Sequence, residues 1–144
     1  MKANQFLTVL LVLGLFFGFQ HYSQANQTDD EEEAVFSHII LSCANGTEAG
    51  ILEAVQFIVG DTTILDNFTH HMKCFLVCFY RKVDLIDYMD HPKYEEFADF
   101  MEVRYAANKH KVRPALKQCL NIENKDACEE IYQVEACMVK HIQG

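Results

Sequence analysis

The chain carries six cysteines, Cys43, Cys74, Cys78, Cys119, Cys128 and Cys137, separated by 30, 3, 40, 8 and 8 residues. All six follow an N-terminal stretch with the form of a secretory leader. An even number of cysteines in a short secreted chain reads as a disulfide framework. The closest pair and the final pair lie in stretches with helical periodicity. The spacing therefore bears on the fold and on the redox compartment together.

Lys2 gives the leader a positive start, residues 6–19 form an apolar run broken only by Thr8, Gly14 and Gly18, and Ser23-Gln24-Ala25 ends it with a small-x-small pattern. These are the parts of a signal peptide, expected over residues 1–25 with cleavage after Ala25. The run is shorter than the roughly 20 apolar residues of a membrane span, which disfavours an anchor. The expected mature chain, residues 26–144, is one domain of a size that benefits from cross-links. The 12 basic and 21 acidic residues give the full chain a formal net charge of −9. That balance argues against binding to nucleic acid or anionic membrane. N-x-[ST] sequons stand at Asn26, Asn45 and Asn67; Asn26 would be the new N-terminus, and the other two are candidate glycan sites.

The periodicity predicts about six helices and no strand pairing. The acidic run Asp29–Glu33 is placed in the first turn of helix one, where it complements the helix dipole, and Asn45-Gly46 ends that helix. Thr47 is expected to cap helix two, which Gly60 stops. Helix three is expected from about Asn67, with Phe68, Met72, Phe75, Leu76, Phe79 and Val83 on one face and Val77 and Tyr80 on another. A helix this apolar around its circumference belongs at the centre. His91-Pro92 marks a break. Helix four is expected over about residues 93–107, helix five over about residues 112–121 with Pro114 in its first turn, and helix six from an Asp126-x-x-Glu129 capping box.

Helix geometry limits the cysteine pairing. Cys74 and Cys78 share a face one turn apart, with Cβ atoms about 5–6 Å apart, whereas a disulfide wants about 3.8 Å. Cys128 and Cys137 point to opposite sides of helix six, because nine residues amount to about two and a half turns. Fifteen pairings are conceivable for six cysteines. Excluding these two bonds leaves roughly ten, and geometry goes no further.

A helix carrying C-x3-C, a long interval, then C-x8-C-x8-C in a secreted chain of this length resembles the insect odorant-binding protein family of the six-cysteine type. The resemblance spans Cys43 to Cys137, and so nearly all of the mature chain. It implies an all-α fold of about six helices around an apolar cavity, held by three interlocked disulfides: Cys43–Cys78, Cys74–Cys128 and Cys119–Cys137. It also implies a carrier that moves small hydrophobic molecules, such as odorants or pheromones, through aqueous fluid. The partners are then the ligand and a membrane chemoreceptor, with the carrier a secreted monomer or weak homodimer.

The resemblance points to helix three and the helices facing it for the ligand site. The residues expected there are Met72, Phe75, Phe79, Phe100, Met101, Val134 and Met138, with Tyr80 and Tyr105 as hydroxyl partners for a polar head group. The seven residues after Cys137 are too few for the tail helix of longer members. They could form a lid, with Ile142 over the cavity mouth and the Gly144 carboxylate hydrogen-bonded. His141 would then make release pH-sensitive, since histidine charges nearest physiological pH.

Other chemistries fit less well. His70 and His71 precede the C-x3-C pair, but oxidised cysteines in a secreted chain disfavour zinc, and no metal or other cofactor is expected. Ser37 and Ser42 are the only serines after Ala25, and neither lies in G-x-S-x-G. Asp90-His91 has the wrong order for a secreted phospholipase, and the central C-x3-C departs from saposin-like lipid binders. The expectation is a non-enzyme. The alternatives to a sensory carrier are a scavenger or carrier in saliva, haemolymph or reproductive fluid, or a cavity-less module that binds a protein.

Overall fold

Apolar residues recurring at three- and four-residue intervals build helices, and the computed structural model, which describes residues 26–144, contains six α-helices among those residues. They are α1 (Asn26–Thr47), α2 (Ile51–Ile58), α3 (His70–Lys82), α4 (Tyr94–Arg104), α5 (Lys109–Cys119) and α6 (Ala127–Gln143). Two 3-10 turns, Thr62–Asn67 and Ala106–Asn108, join α2 to α3 and α4 to α5. The expected leader, residues 1–25, lies outside the described residues. No described helix is long and apolar enough to cross a membrane.

Local hydrogen bonding moves several boundaries from their expected places. The acidic run Asp29–Glu33 lies within α1, which is described from Asn26 onward. Thr47 does not cap α2. Its hydroxyl donates to the Cys43 carbonyl at 2.7 Å and closes α1, and α2 begins after Gly50. Gly60 takes φ +102°, a left-handed conformation that suits a glycine stop. Helix α3 opens three residues later than Asn67, because the Thr69 hydroxyl accepts from the Met72 amide. Pro114 lies in the second turn of α5, not the first. Its ring nitrogen cannot donate to the His110 carbonyl, and both residues are exposed to water there. The capping box of α6 is half formed: Asp126 accepts from the Cys128 amide, but Glu129 turns to Lys73 at 2.8 Å.

Helix α3 is central. It packs on α6 and α1, while α5 lies against α6 and α4 against α5. Its buried residues are Met72, Phe75, Leu76, Val77, Phe79 and Tyr80. Three disulfides cross these packed pairs: Cys43–Cys78 ties α1 to α3, Cys74–Cys128 ties α3 to α6, and Cys119–Cys137 ties α5 to α6. Each cysteine of α3 thus reaches a different neighbour, and so does each cysteine of α6. Between α3 and α4 the chain makes a tight excursion. The Asp87 carboxylate accepts from the amides of Met89 and His91, and Ile86 bridges Pro92. These bonds hold the Asp87 carboxyl below the usual carboxylate range.

Candidate functional site

The residues expected to contact ligand come from three elements that meet at the centre. Helix α3 supplies Met72, Phe75, Phe79 and Tyr80; α4 supplies Phe100 and Met101, with Tyr105 just after it; α6 supplies Val134, Met138 and Ile142. All are buried except Phe100, which is partly buried against the same core. The Phe75 and Phe79 rings stack at 5.9 Å, and Phe100 lies 6.3 Å from Phe79 and 6.1 Å from Tyr80. Two rings outside the expected set complete the group: Phe36 of α1 meets Phe79 edge-on at 5.3 Å, and Phe97 meets Tyr80 at 5.2 Å. Edge and offset contacts of this kind add to the area they bury.

These side chains pack on one another in the described conformation. Two open depressions lie elsewhere on the surface. One, of about 440 Å³, is walled by Glu102, Ala106, Ala107, Lys109, His110 and Arg113. The other, of about 450 Å³, follows the turn from α1 to α2 and includes Ile51 and Leu52.

Among the apolar side chains sits an ion pair with no solvent exposure. Arg104 donates to Glu135 Oε1 at 2.5 Å and to the Phe57 carbonyl at 2.8 Å. The Tyr80 hydroxyl donates to Glu135 Oε2 at 2.8 Å and lies 3.4 Å from Arg104. The guanidinium also stacks 4.1 Å over the Phe57 ring. Two buried donors are left over, Arg104 Nε and the Tyr105 hydroxyl, which make no close hydrogen bond, although the Tyr105 hydroxyl lies near enough to Glu135 to feel its carboxylate. Burial works most strongly against the Arg104 charge, but Glu135 together with Tyr80 and Tyr105 outweighs it and the guanidinium stays protonated. Burial first, then the negative field of Glu135, drives both tyrosine hydroxyls above their ordinary range and keeps them neutral.

The sequence reading placed Tyr80 and Tyr105 at the site and missed Arg104 and Glu135. The signal was present. Arg104 continues the inward stripe Phe97 and Met101, and Glu135 continues Ile131 toward Met138 and Ile142. A charge on an apolar stripe marks a buried ion pair or a functional group.

The end of the chain also differs from its expected form. Residues after Cys137 continue α6 as helix to Gln143, and the Gly144 amide donates to the Lys140 carbonyl. The tail is therefore the end of α6 rather than a separate flap. Ile142 is fully buried, Lys111 reaches its carbonyl at 3.3 Å, and the Thr62 hydroxyl donates to Gln143 at 2.8 Å. His141 is exposed beside the Cys119–Cys137 bridge. The sulfurs near His70 and His141 belong to disulfides, so neither group can offer a thiolate to a metal.

A model of the PBP/GOBP family matches residues 24–141. No curated protein and no solved structure matches the chain.

Proposed function

The chain belongs to the PBP/GOBP family, a family of carriers for small hydrophobic ligands, and from that premise we propose that it binds odorants, pheromones or similar apolar molecules between α3, α4 and α6. The observation that supports this most is the convergence of Met72, Phe75, Phe79, Phe100, Met101, Val134 and Met138 on one core. Phenylalanine and methionine suit ligands of varied shape, because thioether chains adapt at low cost. Burial of the ligand drives binding at about 25 cal/mol per Å² of apolar surface. Tyr80 and Tyr105 stand where a polar head group would end, and Ile142 closes the site from the last turn of α6. The protein works in this reading as a secreted monomer or weak homodimer that delivers ligand to a membrane receptor.

Displacement of an apolar fluorophore from the disulfide-bonded protein at pH 7 and pH 5 tests the proposal. Saturable binding at one site, competed by small volatile molecules, is the expected result. An oxidised, helical protein that shows no saturable binding would rule the carrier function out. If the affinity falls at pH 5, a His141→Ala variant with the same pH dependence would remove His141 from the release step.

A further inference from the structure

The fold treats the sequons at Asn45 and Asn67 differently. Both asparagines are exposed, so exposure does not choose between them, but backbone conformation does. Asn45, Gly46 and Thr47 form the last turn of α1. The Thr47 hydroxyl is given to the Cys43 carbonyl at 2.7 Å, and Cys43 is bridged to Cys78. Folding therefore winds this sequon into a helix beside a cross-link. Asn67, Phe68 and Thr69 lie instead between helices. Asn67 ends a 3-10 turn, Phe68 has φ −62° and ψ 123°, and Thr69, with φ −73° and ψ 165°, caps α3. The chain is extended here, and in extended backbone successive side chains point to opposite sides. The Phe68 ring turns inward, 5.1 Å from Phe57 and 5.8 Å from Tyr132. Asn67 and Thr69 are both exposed, as are their neighbours Asp66 and His70.

The sequon is read as an asparagine amide together with the hydroxyl two residues on. An extended segment presents those two groups on one side, whereas a helix sets them about 200° apart. We propose that Asn67 carries an N-linked glycan and that Asn45 stays bare. This rests on the secreted reading above. The donor is an oligosaccharide held on a lipid pyrophosphate. The Asn67 side-chain nitrogen attacks the first sugar carbon. A C–N bond forms, the C–O bond to the pyrophosphate breaks, the lipid pyrophosphate leaves, and the amide gives one proton to a base of the transferase. The Asn67 sequon stays extended and open both before and after the disulfides close, while the Asn45 sequon is withdrawn as α1 forms. A sugar at Asn67 costs the core nothing, because Phe68 supplies the packing of this segment.

The test expresses the full chain in eukaryotic cells and collects it from the medium with its disulfides formed. An amidase that releases N-glycans leaves aspartate where the sugar stood. Intact mass then counts the glycans and peptide mapping places them. The parent is expected to carry one glycan, at position 67, on most molecules. Asn67→Gln should lose it entirely, and Asn45→Gln should keep it. Thr69→Ser should keep it as well, since serine preserves both the sequon and the α3 cap.

Glycan-free protein in the medium would overturn the proposal and leave secretion standing. A glycan mapped to Asn45 would overturn the choice between the two sequons. Protein retained in the cells with residues 1–25 uncleaved would overturn the secreted reading and the proposal with it. Should Asn67→Gln fail to accumulate, peptide mapping of the parent decides the matter alone.

Discussion

Four helices of this protein are tied covalently and two are not. Helices α1, α3, α5 and α6 contain all six bridged cysteines, whereas α2 and α4 contain none. Arg104 serves the second group. One guanidinium at the end of α4 binds the Phe57 carbonyl of α2, the Glu135 carboxylate of α6 and the Tyr80 hydroxyl of α3. A disulfide acts mainly by restricting the unfolded chain. The buried ion pair acts in the folded state, and only while all of its partners are present. Covalent and ionic ties thus hold different helices by different physics, and they fail differently.

Breaking the ionic tie should give the largest effect. Glu135→Ala leaves the Arg104 charge buried without its counterion and is expected to cost about 3–5 kcal/mol in urea unfolding. Replacing both partners together, Arg104→Met with Glu135→Leu, should recover most of that loss, since an apolar pair avoids desolvating two charges. A single variant within about 1 kcal/mol of the parent would show that the pair is not holding α4.

The covalent ties should rank by the length of chain they close. Replacing Cys74 and Cys128 by alanine opens a separation of 54 residues, and replacing Cys119 and Cys137 opens one of 18. Chain entropy assigns these losses of about 4 and about 3 kcal/mol. Both should also raise the denaturant dependence of unfolding, because the unfolded chain expands. Glu135→Ala should leave that dependence unchanged. The contrast fails if the ion-pair variant and the cysteine variants alter it alike.

A smaller effect belongs to alkaline pH. Tyr80 has its folded-state pKa raised well above the ordinary 10.0 by burial and by Glu135. Above pH 10 the unfolded chain loses that proton while the folded chain keeps it, so the unfolded state binds fewer protons and stability falls as pH rises. Stability is expected to be flat below this range and to decline above it, with a shallower decline in Tyr80→Phe. Urea unfolding between pH 8 and pH 11 would show it, and an identical slope in the variant would remove Tyr80 as a source.

The smallest effect is expected at the surface. Arg113 of α5 reaches Glu95, Asp99 and Glu102 of α4 at 2.7–2.8 Å, which makes it the exposed counterpart of Arg104. It is 36% exposed, and water and salt screen such pairs. Arg113→Ala should shift the urea midpoint least of these variants, and less still at high salt.

Local rules announced the helices of the covalent half, through the apolar stripes of α3 and α6 and the glycine stop at Gly60. Helix geometry excluded only Cys74–Cys78 and Cys128–Cys137, and the full pairing was implied by the family resemblance. The ionic half depends on residues 31 apart, Arg104 and Glu135, and a charge on an apolar stripe does not disclose its partner. The boundary shifts at Thr47, Asn67 and Pro114 have a related cause. Each turned on which of two nearby hydrogen bonds or turns the backbone would adopt, a difference of about 1 kcal/mol that pattern alone does not resolve. Of the candidate site, the apolar residues were legible because burial follows periodicity, whereas the buried donors of Arg104 and Tyr105 that make no close hydrogen bond emerge only once α2, α3, α4 and α6 meet.

The central claim is that apolar ligand enters among α3, α4 and α6, and the methionines report on it directly. Met72, Met101 and Met138 are buried in that core, and Met89, at 59% exposure, lies on the excursion between α3 and α4. With carbon-13-labelled methionine methyl groups, titration of an apolar ligand that displaces the fluorophore should shift the Met72, Met101 and Met138 signals together and saturably, while Met89 stays in place. A ligand that binds yet moves only Met89, or none of the four, would contradict the site described here.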